Sequence, residues 1–229
     1  MLVRQPVLVE LFTSEGCSDC PPADALLARL DATQFVPGVQ AIVLSEHVTY
    51  WNHLGWRDPF SLDAMDERQR RYSFNFSLAD VYTPQMVVDG AQQFTGSDAS
   101  ALSQAVAHAA LNPKPQIEIK DAQWVDGSVS FSVHASPGSN AKLAAALAED
   151  ATQSEVARGE NAGRTLHHVA VVRVLKEFDA KAVDGRPLRL SAPALSASAK
   201  PAGPLRLVVF LADRNTGRIV AAAQTTLNR

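Results

Sequence analysis

The hydrophobic pattern near the start of the chain switches between two periods. Val7-Leu8-Val9-Glu10-Leu11-Phe12 is a run of branched and aromatic side chains broken by one acid, and Thr13-Ser14-Glu15-Gly16 closes it. A buried strand ending in a turn is expected. From Ala23 to Leu30 the apolar positions recur at helical spacing among strong helix formers, which predicts a helix. Val39 to Leu44 predicts a central parallel strand. Gln85 to Val88, Asp89-Gly90 and Ala91 to Phe94 predict a hairpin with a two-residue turn. Ser97-Asp98 supplies a cap for a helix from Ala99 to Leu111, stopped by Asn112-Pro113. Between Leu44 and Thr83 lies a longer segment that carries Tyr50, Trp51, Trp56 and Phe60, then a helical pattern from Asp63 to Tyr72.

Beyond Lys114-Pro115 the period becomes two. Gln116-Ile117-Glu118-Ile119-Lys120 alternates, Val125-Asp126-Gly127-Ser128-Val129 marks a turn, and Ser130 to His134 continues the strand pattern. Further strands are expected at Leu143 to Ala148, Val169 to Leu175, Leu205 to Leu211 and Ile219 to Ala223. The spacing fits a sandwich. Ser191 to Pro204, rich in Ser, Ala and Pro, reads as a surface loop. Two domains follow from this change of character, over residues 1–113 with a long insertion near 45–82, and over residues 114–229.

Composition narrows the class of protein. The chain has 229 residues, 46% of them hydrophobic, with a net charge of −3 and two cysteines. That excludes a disulfide scaffold, a four-cysteine zinc site and an iron–sulfur cluster. The charge balance and the lack of any long Lys/Arg run argue against nucleic acid as a partner. No apolar run reaches the roughly 18 residues that a membrane span needs, and no targeting segment stands in the residues from Met1. A cytoplasmic location is expected, or a periplasmic or secreted one if a leader has been removed.

Both cysteines fall in one motif, Cys17-Ser18-Asp19-Cys20, followed by Pro21-Pro22, where the first strand gives way to the first helix. The first turn of a helix has free N–H groups and a partial positive charge that stabilise a thiolate. Proline is tolerated there because its missing N–H leaves no ladder bond unmade. A thiolate at Cys17 attacks a partner disulfide, and Cys20 then resolves the mixed intermediate. Asp19 between the cysteines, flanked by Glu15 and Asp24, opposes the helix terminus, so a pair of intermediate potential is expected and not a very strong oxidant.

The strand, the C-x-x-C and the helix resemble the start of a thioredoxin-like domain. Phe12 to Asp24 (F-T-S-E-G-C-S-D-C-P-P-A-D) resembles the signature of an uncharacterised, often exported bacterial family of that superfamily. The likeness extends through His47-Val48-Thr49-Tyr50-Trp51, Gly55 to Ser61, Tyr82-Thr83-Pro84-Gln85 and Glu160 to Thr165. It implies an α/β thioredoxin-like domain, followed here by a β-rich C-terminal domain. It also implies a cis peptide bond at Thr83-Pro84 opposite the cysteines, with those two residues shaping the edge where a substrate docks. Glu10 matches the buried acid that many such proteins use to help the second cysteine, a catalytic role. The other reading of Glu10 is a carboxylate at a solvated strand end or one paired to Lys or Arg. Trp51 and Trp56 are candidates for substrate contact, or else they pack the insertion onto the sheet.

Two cysteines with His47 and His53 have the donor types of a tetrahedral metal site, but their spacing matches no common zinc pattern. No metal and no cofactor are expected, and His47 is read as a structural hydrogen-bonding residue. Glu160 to Arg164 is a polar loop that would hold the domain interface. His167 and His168, adjacent in a strand, point to opposite faces and cannot share one site. The expected function is thiol–disulfide exchange with a protein or a low-molecular-weight thiol. The alternative is a binding or assembly module that keeps a structural disulfide without turnover.

Overall fold

The computed structural model describes residues 4–136, 140–179, 183–192 and 203–227. Strand β1 (Gln5–Thr13) lies inside the main sheet, and Val7 to Phe12 are fully buried on both faces, which is why the run is apolar almost without alternation. It pairs in parallel with β2 (Val39–His47) and antiparallel with β3 (Gln85–Val88), so that Phe12 stands opposite both Glu46 and Gln85. Between β1 and β2 runs helix α1 (Pro21–Thr33). The long segment after β2 contains α2 (Asp63–Asn75), and β4 (Gln92–Thr95) completes the hairpin with β3. Helix α3 (Ala99–Ala109) begins at Asp98, whose carboxylate accepts from Ser100 and Ala101 N–H, the cap its sequence predicts.

The remaining strands are β5 (Ile117–Val125), β6 (Ser128–Ala135), β7 (Ala141–Glu155), β8 (Thr165–Phe178), β9 (Asp184–Ser191), β10 (Leu205–Asp213) and β11 (Ile219–Leu227). Strands β5, β6 and β9 form a three-stranded sheet. The others join the first four in one mixed sheet of order β11-β10-β7-β8-β2-β1-β3-β4. The joint is the parallel contact of β2 with β8, with Ser45 opposite Val171. Along β7, Ala144, Ala146 and Ala148 enter the core shared with β1 and β2, whereas Leu143, Ala145 and Leu147 enter a second core under the three-stranded sheet. Strand β10 divides in the same way, with Val208 and Phe210 on one side and Leu207, Val209 and Leu211 on the other.

This architecture overturns the expected α/β thioredoxin-like domain followed by a β-rich domain. Among the described residues strand accounts for 47% and helix for 18%, with three helices, and one eight-stranded mixed sheet runs through both halves. The separate sandwich is absent for the same reason: β7, β8, β10 and β11 extend the sheet that β1 and β2 begin. Residue pattern reports burial and period, but not which sheet edge a distant strand will join. Residues 193–202 of the expected Ser/Ala/Pro loop lie outside the described residues.

Candidate functional site

The cysteine pair sits where β1 ends and α1 begins. Cys17 and Cys20 form a disulfide with their Cα atoms 5.4 Å apart. Cys20 is the N-cap of α1, with Pro21 directly after it, and its carbonyl accepts from Ala23 and Asp24 N–H. The preceding turn is tied by Cys17 N–H to the Ser14 carbonyl and by Gly16 N–H to Ser14 Oγ. Gly16 packs closely on the insertion, since a Cβ there would stand 3.1 Å from Trp51 Cβ. Cys17 is 1% exposed and Cys20 0%, while Ser18 and Asp19 between them are open to solvent.

A loop from the C-terminal half closes over this turn. Asn161, itself buried, donates Nδ2 to the carbonyls of both Glu15 and Cys17 at 2.9 Å. Its Oδ1 accepts from Arg164, and Glu160 accepts from Ser18 N–H at 2.9 Å. Trp56 packs on Gly159 and donates its indole N–H to Glu15 Oε2 at 2.8 Å. Trp51 donates to Thr83 Oγ1 at 2.8 Å, linking the cysteine turn to the segment before β3. The Thr83–Pro84 bond is cis. Gly96 lies in a gap bounded by Leu11, Ala23 and Pro84, so Pro84 and the first turn of α1 line the same small space.

Beneath the turn is a buried group of ionisable side chains. Glu15, Asp24, His47, Asp58 and His168 are all nearly inaccessible. His168 Nε2 meets Glu15 Oε1 at 3.3 Å and its Nδ1 faces Asp24 Oδ1 at 3.6 Å. Ser154 also donates to Glu15, and Thr13 to Asp24. Burial would lower the His168 pKa, but hydrogen bonds and charge from Asp24 and Glu15 outweigh it and raise it to about 10. The imidazolium therefore offsets the two acids that flank the cysteines. The His47 ring crosses that of His168 with centroids 4.6 Å apart, and its Nδ1 lies 2.7 Å from Asp58 Oδ2. Burial pushes the Asp58 carboxyl up, yet His47 and the N–H groups of Glu15 and Phe60 bring it below its ordinary value.

Glu10 is elsewhere. Leu11 and Thr13 point toward α1, so alternation turns Glu10 to the other face, where Arg68 Nε meets it at 2.5 Å and Tyr72 OH at 2.6 Å. Glu46 joins that cluster, 3.5 Å from Arg68, with its carboxyl pushed well above the usual range by burial and by Glu10. The structure thus brings Trp51, Trp56, Thr83 and Pro84 to the cysteine side and leaves Glu10 on the side of α2. His53 is exposed and His47 buried. Sequence reading missed Glu15, Asp24, Asn161 and His168 as one constellation. The polar Glu160 to Arg164 loop and a histidine facing inward from β8 were its traces, but residues so far apart in the chain meet only through the β2–β8 pairing. Chemically, the arrangement presents a disulfide at a helix start, held by side-chain amide and carboxylate groups, over a cluster able to hold or release a proton.

No curated protein sequence matches the chain. The crystal structure of protein AGR_C_4864 from Agrobacterium tumefaciens is similar at 22% identity, with a TM-score of 0.68 over 96% of this chain and 94% of that one. That likeness concerns the fold alone. A domain of the outer membrane lipoprotein Omp28 from Porphyromonas gingivalis, 16% identical, covers 50% of this chain and 96% of its own length with a TM-score of 0.29, too slight a likeness to support an argument. Residues 8–212 match the family described as protein of unknown function (DUF1223), and the chain belongs to that family.

Proposed function

We propose that this protein exchanges thiols and disulfides with a protein or a low-molecular-weight thiol through Cys17 and Cys20. A partner thiolate attacks Cys17 Sγ, the bond between the two cysteine sulfurs breaks, and Cys20 leaves with the electron pair as a thiolate. A second partner thiol then attacks the mixed disulfide, releasing Cys17, so the partner is oxidised by two electrons and the pair is reduced. The reverse sequence runs through the same mixed disulfide.

One observation carries this reading: the only two cysteines are joined across a single turn at the start of α1. As a staple this bond does little, because closing so short a loop removes only roughly 2 kcal/mol of chain entropy, less than half of what a 100-residue loop gives. As an exchange site it is well placed, with the exposed Ser18 and Asp19 between its halves and the start of a helix beneath Cys20. Burial of both sulfurs favours the second reading, a closed structural disulfide in a binding module. Exchange requires the buried Cys17 sulfur to be uncovered first, and the 156–164 loop, tied to the cysteine turn through Asn161 and Glu160, is the segment we expect to move.

Glutathione separates the two readings. The reduced Cys20→Ser variant, mixed with glutathione disulfide, is expected to accumulate one glutathione on Cys17 by mass spectrometry. The wild type is expected to return to its internal disulfide, and to be reduced by millimolar dithiothreitol without unfolding. A wild-type disulfide that yields only in denaturant, together with no adduct on the variant, would make the pair structural.

A further inference from the structure

A charged cleft lies away from the cysteines, on the outer side of α2. There the last two turns of α2 and the turn between β10 and β11 enclose a cleft of about 610 Å³. Five cations line it against two carboxylates, Glu177 and Asp213, although the protein as a whole carries a net charge of −3. Both carboxylates are already engaged. Glu177 is shared by Lys142 and Arg71, and Asp213 accepts from the N–H groups of Asn215 and Thr216 in its own turn. Burial raises the Glu177 carboxyl, but Lys142 and the two nearby arginines bring it below its ordinary value, so it stays ionised and paired.

That leaves cationic capacity unused. Arg70, 62% exposed, has Asp66 one turn behind it at 3.7 Å and no acid across the cleft among the described residues. Arg214, also exposed, donates Nε to the Ala141 carbonyl and has no carboxylate partner among the described residues. Beside them stands Phe74, 84% exposed, an aromatic ring that no core requires. The walls are fixed in advance: Asn75 Nδ2 donates to the Thr216 carbonyl at 3.0 Å, and Gly217, at φ +72°, comes so close that a Cβ would stand 2.6 Å from Asn75. The cleft has the volume of a small-molecule site.

We infer that this cleft binds a small organic oxyanion with a flat apolar body, its headgroup held between Arg70 and Arg214 and its body laid on Phe74. Arginine guanidinium groups suit phosphate, sulfonate and carboxylate heads alike. This site is independent of the cysteine pair, and neither reading of the disulfide alters it.

Calorimetry at low salt with phenyl phosphate, inorganic phosphate and benzyl alcohol tests the inference. Phenyl phosphate is expected to bind saturably and about tenfold more tightly than inorganic phosphate, with no saturable heat from benzyl alcohol. The Arg70→Ser/Arg214→Ser variant should weaken phenyl phosphate by about tenfold or more, and Phe74→Ala should bring it to the level of inorganic phosphate. Both variants change exposed side chains, and unaltered melting curves establish that they fold. No saturable heat from phenyl phosphate up to about 10 mM overturns the site. Equal affinity for the two phosphates, or an affinity the arginine substitutions leave unchanged, overturns the ligand class.

Discussion

Two buried clusters of charge flank β1 and solve the same problem with different chemistry. On the side of α2, Glu10 and Glu46 share Arg68, with Tyr72 donating to Glu10. The cation there is permanent, and burial together with the neighbouring Glu10 pushes the Glu46 carboxyl well above its ordinary value. On the cysteine side, Glu15 and Asp24 share His168, and Asp58 holds His47. The cation there, the His168 imidazolium, is one that titrates. The first cluster is drawn from residues 10–72, the second from residues 13–168, and only the second touches the turn that carries the disulfide. A fixed charge suffices to pin α2 to the sheet. A titratable one joins the two halves of the chain at the place proposed for chemistry.

Removing the permanent cation should have the largest effect. Arg68→Met leaves Glu10 buried without its partner, and a broken buried pair costs about 3–5 kcal/mol. The midpoint of urea unfolding at pH 7 should fall accordingly. A loss below about 1 kcal/mol would mean that the buried Arg68–Glu10 pair does not hold α2 to the sheet.

His168 should matter somewhat less, and with a pH signature that Arg68 lacks. His168→Gln leaves Glu15 and Asp24 without their imidazolium, at a cost of about 2–4 kcal/mol near pH 7. In the wild type its folded pKa of about 10 stands above the ordinary histidine value of 6.5. The stabilisation is therefore complete below about pH 6.5 and is lost as pH rises toward 10. Unfolding free energies measured between pH 6 and 10 should decline for the wild type and stay flatter for the variant. Parallel slopes would show that His168 does not carry this charge.

How much of this was legible beforehand depends on chain distance. The run around Glu10, the helical spacing after Cys20, the Asp98 cap and the hairpin at Asp89-Gly90 are local signals, and each element formed near its pattern, although the hairpin turn takes in Ala91 and has three residues where two were expected. The fold class was misread because β8 looks like any alternating strand, and nothing in Thr165 to Phe178 says that it will lie beside β2. That same pairing decides the site. His168 comes to Glu15 and Asp24 only once β8 is in the main sheet, and Asn161 follows because its loop connects β7 to β8. Glu10 was legible as a buried acid, but its face was not: alternation from Thr13 settles that once α1 is known to cover the opposite side.

Asn161 sharpens the contrast further, because it holds the cysteine turn by neutral hydrogen bonds alone. Asn161→Ala frees the carbonyls of Glu15 and Cys17 and leaves Arg164 without its acceptor, for a loss of about 1–2 kcal/mol. On stability alone this is the smallest of the three effects. Its consequence for access should be larger, because the loop that covers Cys17 is fastened to the turn chiefly through Asn161 and Glu160. Reduction of the disulfide by dithiothreitol should proceed about tenfold faster in the variant if opening costs about 1.4 kcal/mol less. Arg68→Met, which destabilises more but acts on the other face of β1, should leave that rate nearly unchanged under native conditions. If the two variants accelerate reduction in proportion to their lost stability, the disulfide opens only by global unfolding and the loop is no gate. If Asn161→Ala alone accelerates it, the loop from the C-terminal half controls entry to the cysteine pair.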